Sequence, residues 1–181
     1  MDDERIMQDV RAGDVARLEL LFDRHHKGLF RYFLSLTSNR AVSEDLAQEV
    51  FFRVLKYRHT YQPGAGFRPW LYSVGRNVWA DYVGKQKPEV ALPEEAGELR
   101  GKETPPDRAL QKKQEAILLR RALASLPQEK REVLVLSRYQ DLKYEEIASI
   151  LECEVGAVKV RVYRALRELS DRFFALSGER A

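Results

Sequence analysis

Apolar residues return every three or four positions along most of this chain, Leu18, Leu21 and Phe22 being followed by Leu29, Phe30, Phe33 and Leu34. Strict apolar–polar alternation, the mark of a half-buried strand, is almost absent from residues 1–62. The pattern predicts two helices there, then a third from Ser43, a good N-cap, to about Tyr57. Glu44 and Asp45 would occupy its first turn, where the helix dipole favours acid. Pro63, Gly64 and Gly66 break the pattern into a loop, and Pro69, suited to a first helical position, opens a fourth helix through Trp70, Leu71, Val74, Val78 and Tyr82.

Periodicity is lost from Lys85 to Pro106, where prolines mix with glutamates, and resumes from Asp107 to about Leu176 with a break at Leu126-Pro127. Within that last stretch, Leu142–Leu151 and Val158–Arg167 read as two short helices joined by a tight turn, a helix-turn-helix. The expected fold class is all-α: two small helical domains, residues 1–87 and 107–181, joined by a flexible linker over 88–106, with the helix-turn-helix in the C-terminal domain. Domains of that size bury only about 60–65% of their unfolded surface, so each would be marginal alone.

The second helix of the pair has a sorted surface. Val155, Val158, Val162, Leu166 and Leu169 share one side, and Ala157, Val160, Arg161, Arg164 and Arg167 the other. A solvated surface helix would show the same arginines. A preceding short helix at a tight turn favours a helix laid in a DNA major groove instead, with Ala157, Lys159, Val160, Arg161, Arg164 and Arg167 toward the duplex. The formal net charge of +3 permits nucleic-acid binding without demanding it, and the local concentration of Lys159, Arg161, Arg164 and Arg167 says more than the sum.

Two other faces stand out. On the third helix Leu46, Val50, Phe51, Val54 and Leu55 cluster, leaving Asp45, Gln48, Glu49, Phe52 and Lys56 opposite. One exposed aromatic is ordinary, but an aromatic flanked by two carboxylates is what a protein-docking surface looks like. Around the fourth helix aromatic and basic residues interleave: His59, Tyr61, Phe67, Arg68, Tyr72, Arg76, Asn77 and Trp79 suggest a platform on which unpaired bases stack. Taken singly, Trp70 and Trp79 read as core residues of a small domain.

The single Cys153 excludes an intrachain disulfide framework and a multi-thiolate zinc site, and its expected identity is a small buried hydrophobe. No uninterrupted apolar run approaches a membrane span of about 20 residues, and Asp2-Asp3-Glu4 does not resemble the start of a signal peptide, so a cytoplasmic protein is expected. His25 and His26 point about 100° apart on a helix and no third ligand recurs at i+4, a poor metal pair that with His59 exhausts the catalytic histidines.

In their order these segments resemble one family, the extracytoplasmic-function sigma factors of bacterial RNA polymerase. Ser43-Glu44-Asp45-Leu46-Ala47-Gln48-Glu49-Val50-Phe51 is similar to the helix by which that family docks on the clamp helices of the largest polymerase subunit. Phe67-Arg68-Pro69-Trp70-Leu71, with Arg76-Asn77 and Asp81-Tyr82, is similar to the helix that holds the melted −10 strand. Leu126-Pro127, Arg131, Tyr144-Glu145-Glu146-Ile147-Ala148 and Val155-Gly156-Ala157-Val158-Lys159-Val160-Arg161 resemble the region that reads the −35 element. The resemblance implies core polymerase (clamp helices and flap), promoter DNA and an anti-sigma factor as partners, no cofactor and no catalysis. The chain departs from the family at Asp141, Lys143 and Glu152, where Gly, a small polar cap and Gly are usual, and at Ala157 and Val160, where hydroxyl residues are common. From the residues alone, a helix-turn-helix regulator using residues 1–87 as an effector or dimerisation domain stays open.

Overall fold

The computed structural model describes residues 2–85 and 106–178, with the backbone alone for 106–111. The expected linker, 88–106, lies outside the described residues except for Pro106, which opens a helix. Every regular element among the described residues is helical. Helices α1 (Asp3–Ala12), α2 (Leu18–Thr37), α3 (Arg40–Lys56) and α4 (Phe67–Lys85) make one module, and α5 (Pro106–Ser125), α6 (Gln128–Leu134), α7 (Tyr144–Ile150) and α8 (Val155–Ser177) a second.

Sequence periodicity and burial agree on α2, whose Leu21, Leu29, Phe33 and Leu36 face inward, and on α3, whose Leu46, Val50, Phe51 and Val54 meet them. Helix boundaries need two corrections. The N-cap of α3 is Asn39, not Ser43: its extended backbone lets the side-chain oxygen accept from the Val42 N–H at 3.1 Å. Ser43 lies a turn inside, fully buried, its hydroxyl donating to the Asn39 carbonyl at 2.6 Å. Glu44 and Asp45 accordingly sit beyond the first turn. Helix α4 likewise begins at Phe67 rather than Pro69, which falls within the first turn, where a missing N–H goes unnoticed.

The helix-turn-helix forms with shifted bounds: α8 is not a short helix but begins at Val155 rather than Val158 and runs on to Ser177, and α7 is shorter than expected. At its entry the Lys143 N–H donates to Glu146 Oε2 at 2.7 Å, half of a capping box that needs no hydroxyl residue at the cap. Asp141 and Glu152, at the two departures from glycine, both stand at φ +51°, so the left-handed turn geometry survives with side chains present. Just before Asp141, α6 widens into a π turn over Val135–Tyr139, closed by the Gln140 N–H on the Val135 carbonyl at 3.1 Å.

The modules do not stand apart. Helix α2 packs on α5, α6 and the π turn, α4 packs on α7, and the buried apolar residues of both modules form one continuous cluster.

Candidate polymerase and nucleic-acid interfaces

The docking face expected on α3 is open. Asp45 and Gln48 are exposed and Phe52 is 60% exposed, on the side of the helix opposite the buried Leu46, Val50 and Val54. Glu49 is half-buried and accepts from Arg53 Nε at 2.7 Å, while the same guanidinium reaches Asp81 of α4 at 2.6 Å. Arg53 thus fixes one carboxylate of the face and ties α3 to α4. Both carboxylates raise its pKa.

On α8, Lys159, Val160, Arg161, Arg164 and Arg167 are exposed and Ala157 is half-buried, with Val158, Val162 and Ala165 in the core. Tyr163, 67% exposed, lies on the same outward side at i+3 from Val160, a contact candidate that the sequence reading passed over among the arginines.

The aromatic platform is where the expectation fails. Tyr61, Phe67, Tyr72 and Trp79 are all buried. Tyr61 meets Trp70 edge-on with centroids 5.2 Å apart, Tyr72 meets Tyr32 at 5.5 Å, and Trp79 stacks on Tyr82 at 5.6 Å. A module this small needs their area for its core, since each ring buries on the order of 150–250 Å². Burial pushes the Tyr61 hydroxyl up to about 12 and raises that of Tyr72. What remains toward solvent is polar: His59 and Asn77 are exposed, Arg68 and Arg76 partly so.

Arg68, Tyr72 and Arg76 meet the second module in a buried polar cluster that no sequence motif announces. Glu132 of α6, 6% exposed, accepts from the Tyr32 hydroxyl at 2.9 Å and lies 3.5 Å from Arg76 Nε. Burial raises its carboxyl above the ordinary value against the pull of both partners, and the Tyr32 phenol is pushed well up. Gln140, 7% exposed, accepts from the Tyr72 hydroxyl at 2.5 Å through Oε1 and donates through Nε2 to the Gly28 carbonyl at 3.2 Å. Its backbone carbonyl accepts from Arg68. Arg131 donates to the Leu36 carbonyl at 3.0 Å, to that of Leu126 at 2.9 Å, and to that of Ala124.

Elsewhere, His25 Nε2 lies 2.6 Å from Asp3 Oδ2, while His26 Nδ1 lies 2.8 Å from the Phe22 carbonyl, so the neighbouring imidazoles serve different partners. Burial lowers the pKa of His25 in spite of Asp3. Cys153 is half-buried against the core. Among the described residues there is no group of three or more His, Cys, Asp and Glu placed to hold a metal, and no helix long and apolar enough to cross a membrane.

Two family models match the sequence: Sigma-70 region 2 over residues 21–89 and Sigma-70 region 4 over residues 116–169. The chain is 34% identical over 176 residues to the ECF RNA polymerase sigma factor SigE of Mycolicibacterium smegmatis, covering 94% of this chain and 68% of that one. It is 34% identical over 148 residues to the sigma factor EcfG of Rhodopseudomonas palustris, covering 82% and 80%. Among solved structures, CnrH in complex with the cytosolic domain of CnrY superposes with a TM-score of 0.73 at 22% identity, over 96% of this chain and 97% of that one. The sigma factor RpoE of Bartonella quintana, solved with the anti-sigma factor NepR, gives 0.63 at 23% identity over 85% and 94%. Likeness at these identities establishes a shared fold.

Proposed function

Because the chain belongs to the extracytoplasmic-function sigma factors of RNA polymerase, we propose that it divides promoter recognition between its two modules. As an alternative sigma factor it binds core RNA polymerase and directs it to promoters. In our reading residues 1–87 dock the core enzyme and hold the melted −10 strand, residues 107–181 read the −35 element, and 88–106 join them. Asp45, Gln48, Glu49 and Phe52 meet the clamp. The unpaired strand runs over His59, Arg68, Arg76 and Asn77, with the buried rings as their scaffold. The duplex meets Ala157, Lys159, Val160, Arg161, Arg164 and Arg167. The observation that carries this reading is the open Phe52 face coexisting with the basic stripe of α8, because an autonomous regulator has no use for the first. An anti-sigma factor completes the partners, the work is done in the cytoplasm, and melting draws on the binding energy of unpaired bases rather than on a cofactor or a catalytic group.

The test is run-off transcription with core polymerase and mapping of the start sites. Within it, Phe52→Ala should weaken core binding by about 2 kcal/mol, roughly 30-fold, if the ring becomes a buried anchor. Folding should hardly change, since the ring is exposed in the free chain. Core affinity unaltered in a titration with labelled protein would remove Phe52 from the docking face.

Substitutions on α8 should separate two kinds of contact. Alanine at a base-reading arginine costs about 1–3 kcal/mol and relaxes preference at one position, whereas alanine at a phosphate contact weakens every promoter alike. Arg161 and Arg164 are the candidates for the first behaviour, Lys159 and Arg167 for the second. A promoter library unaffected by both Arg161→Ala and Arg164→Ala would mean that α8 enters the groove by another face.

A further inference from the structure

We infer that Val160, rather than an arginine, sets one letter of the upstream promoter element: it reads a thymine through the C5 methyl group of that base. The inference rests on the proposed assignment of α8 to the −35 duplex.

Val160 occupies the outermost line of α8. At about 100° per residue, the core-facing Val158 and Val162 each lie about 160° around the helix from it, and Ala165 about 140°. The side chain is accordingly 47% exposed. A single exposed valine is ordinary on a protein surface, but this one has apolar company at helical spacing. Ala157 lies three residues before it, and Tyr163, 67% exposed, three after. Lys159 and Arg161, its neighbours in the chain, diverge from it by about 100° to either side, and both are exposed. The helix therefore presents an apolar middle between two cations, at the place where a helix that merely faced water would be most polar. Local stability does not account for the choice, since a β-branched residue is among the weaker helix formers.

A helix seated in the major groove with its flanking cations toward the two backbones turns that middle to the base edges. What a valine meets there decides what it can read. Guanine offers two acceptors, adenine an acceptor and a donor, and cytosine a donor; a valine would strip each of water and replace nothing. Of the four bases only thymine offers a methyl group in this groove, and covering it removes apolar surface from water on both partners. Tyr163, on the adjoining turn, adds ring surface to the same patch.

Deoxyuridine is thymidine without that methyl and keeps every hydrogen-bonding group, so it isolates the contact. Core polymerase carrying the wild-type chain is assayed by competition on a promoter mapped by run-off transcription. Its affinity should fall about fourfold when one particular thymine of the upstream element becomes uracil, which is what burying one methyl-sized group contributes. Uracil at the other thymines should change little. The variant Val160→Ser removes both methyl groups and leaves helix propensity nearly unchanged. Its holoenzyme should distinguish thymine from uracil at that position by less than about twofold, so that the two changes are coupled. Thermal unfolding of the variant should match that of the wild type, because the side chain is exposed. A wild-type holoenzyme indifferent to uracil at every thymine, an upstream element without thymine, or a fourfold cost that survives Val160→Ser would overturn the inference while leaving the −35 assignment intact. Affinity unchanged when the whole upstream element is scrambled would instead remove the −35 assignment, and the inference with it.

Discussion

Duplex DNA binding by the purified chain should fall about 150-fold between 50 and 200 mM salt. The figure follows from Lys159, Arg161, Arg164 and Arg167, the exposed cations of α8. If each neutralises one phosphate, counterion release gives a slope of about −3.6, at roughly −0.9 per contact. With so few contacts, one module alone binds weakly at physiological salt. The other module cannot compensate, because its strand-holding residues act only on unpaired bases, which an intact duplex does not present. Core polymerase should change this qualitatively: a footprint over two separated elements appears, and permanganate-reactive thymines arise in the downstream one only. Nanomolar, sequence-specific binding by the chain alone at physiological salt, indifferent to core polymerase, would reinstate the autonomous regulator.

Arg131→Met should destabilise the free chain by about 3 kcal/mol, because burying carbonyls without a donor costs about 1–3 kcal/mol each, partly relieved by water. The guanidinium sits near the ends of two helices, reaching the Leu36 carbonyl in the last turn of α2 and that of Ala124 in the last turn of α5, with Leu126 between. There its charge also meets the negative ends of both dipoles. Burial lowers its pKa, yet a guanidinium this basic keeps its proton. Arg131→Lys should rescue little, since one ammonium cannot span carbonyls that a planar fork reaches together. The denaturant midpoint should move with the m-value unchanged. A loss under about 1 kcal/mol would mean that water replaces the fork and that Arg131 is no structural pin.

Local periodicity made much of the molecule legible in the sequence, and long-range pairing hid the rest. The sides of α3 and α8 follow from residue spacing alone, and Phe52, Arg161 and Arg164 stand in the open as that spacing requires. Asn39 displaced Ser43 as the cap because both are good capping residues and only the path of the preceding turn chooses between them. The interleaved rings and bases of α4 misled because a mixed pattern does not say which rings a small core will claim, and it claimed Tyr61, Phe67, Tyr72 and Trp79. Nothing near Tyr32 in the sequence points to Glu132, 100 positions away, and a glutamate on a short helix reads as solvated until its partner is seen.

The π turn at Val135–Tyr139 makes chain length, as well as composition, decide where Gln140 lies. Its i→i+5 ring holds one residue more than an α-helical ring, as though a single residue had been inserted into α6. Deleting one residue there would let the helix relax to regular geometry with Glu132, Val133 and Leu134 in place, but everything beyond would turn by about 100°. Gln140 would swing away from Tyr72 and Gly28, although every contacting residue type was still present. A chain one residue shorter in this segment would therefore keep both modules and lose the contacts that Gln140 makes with Tyr72 and Gly28.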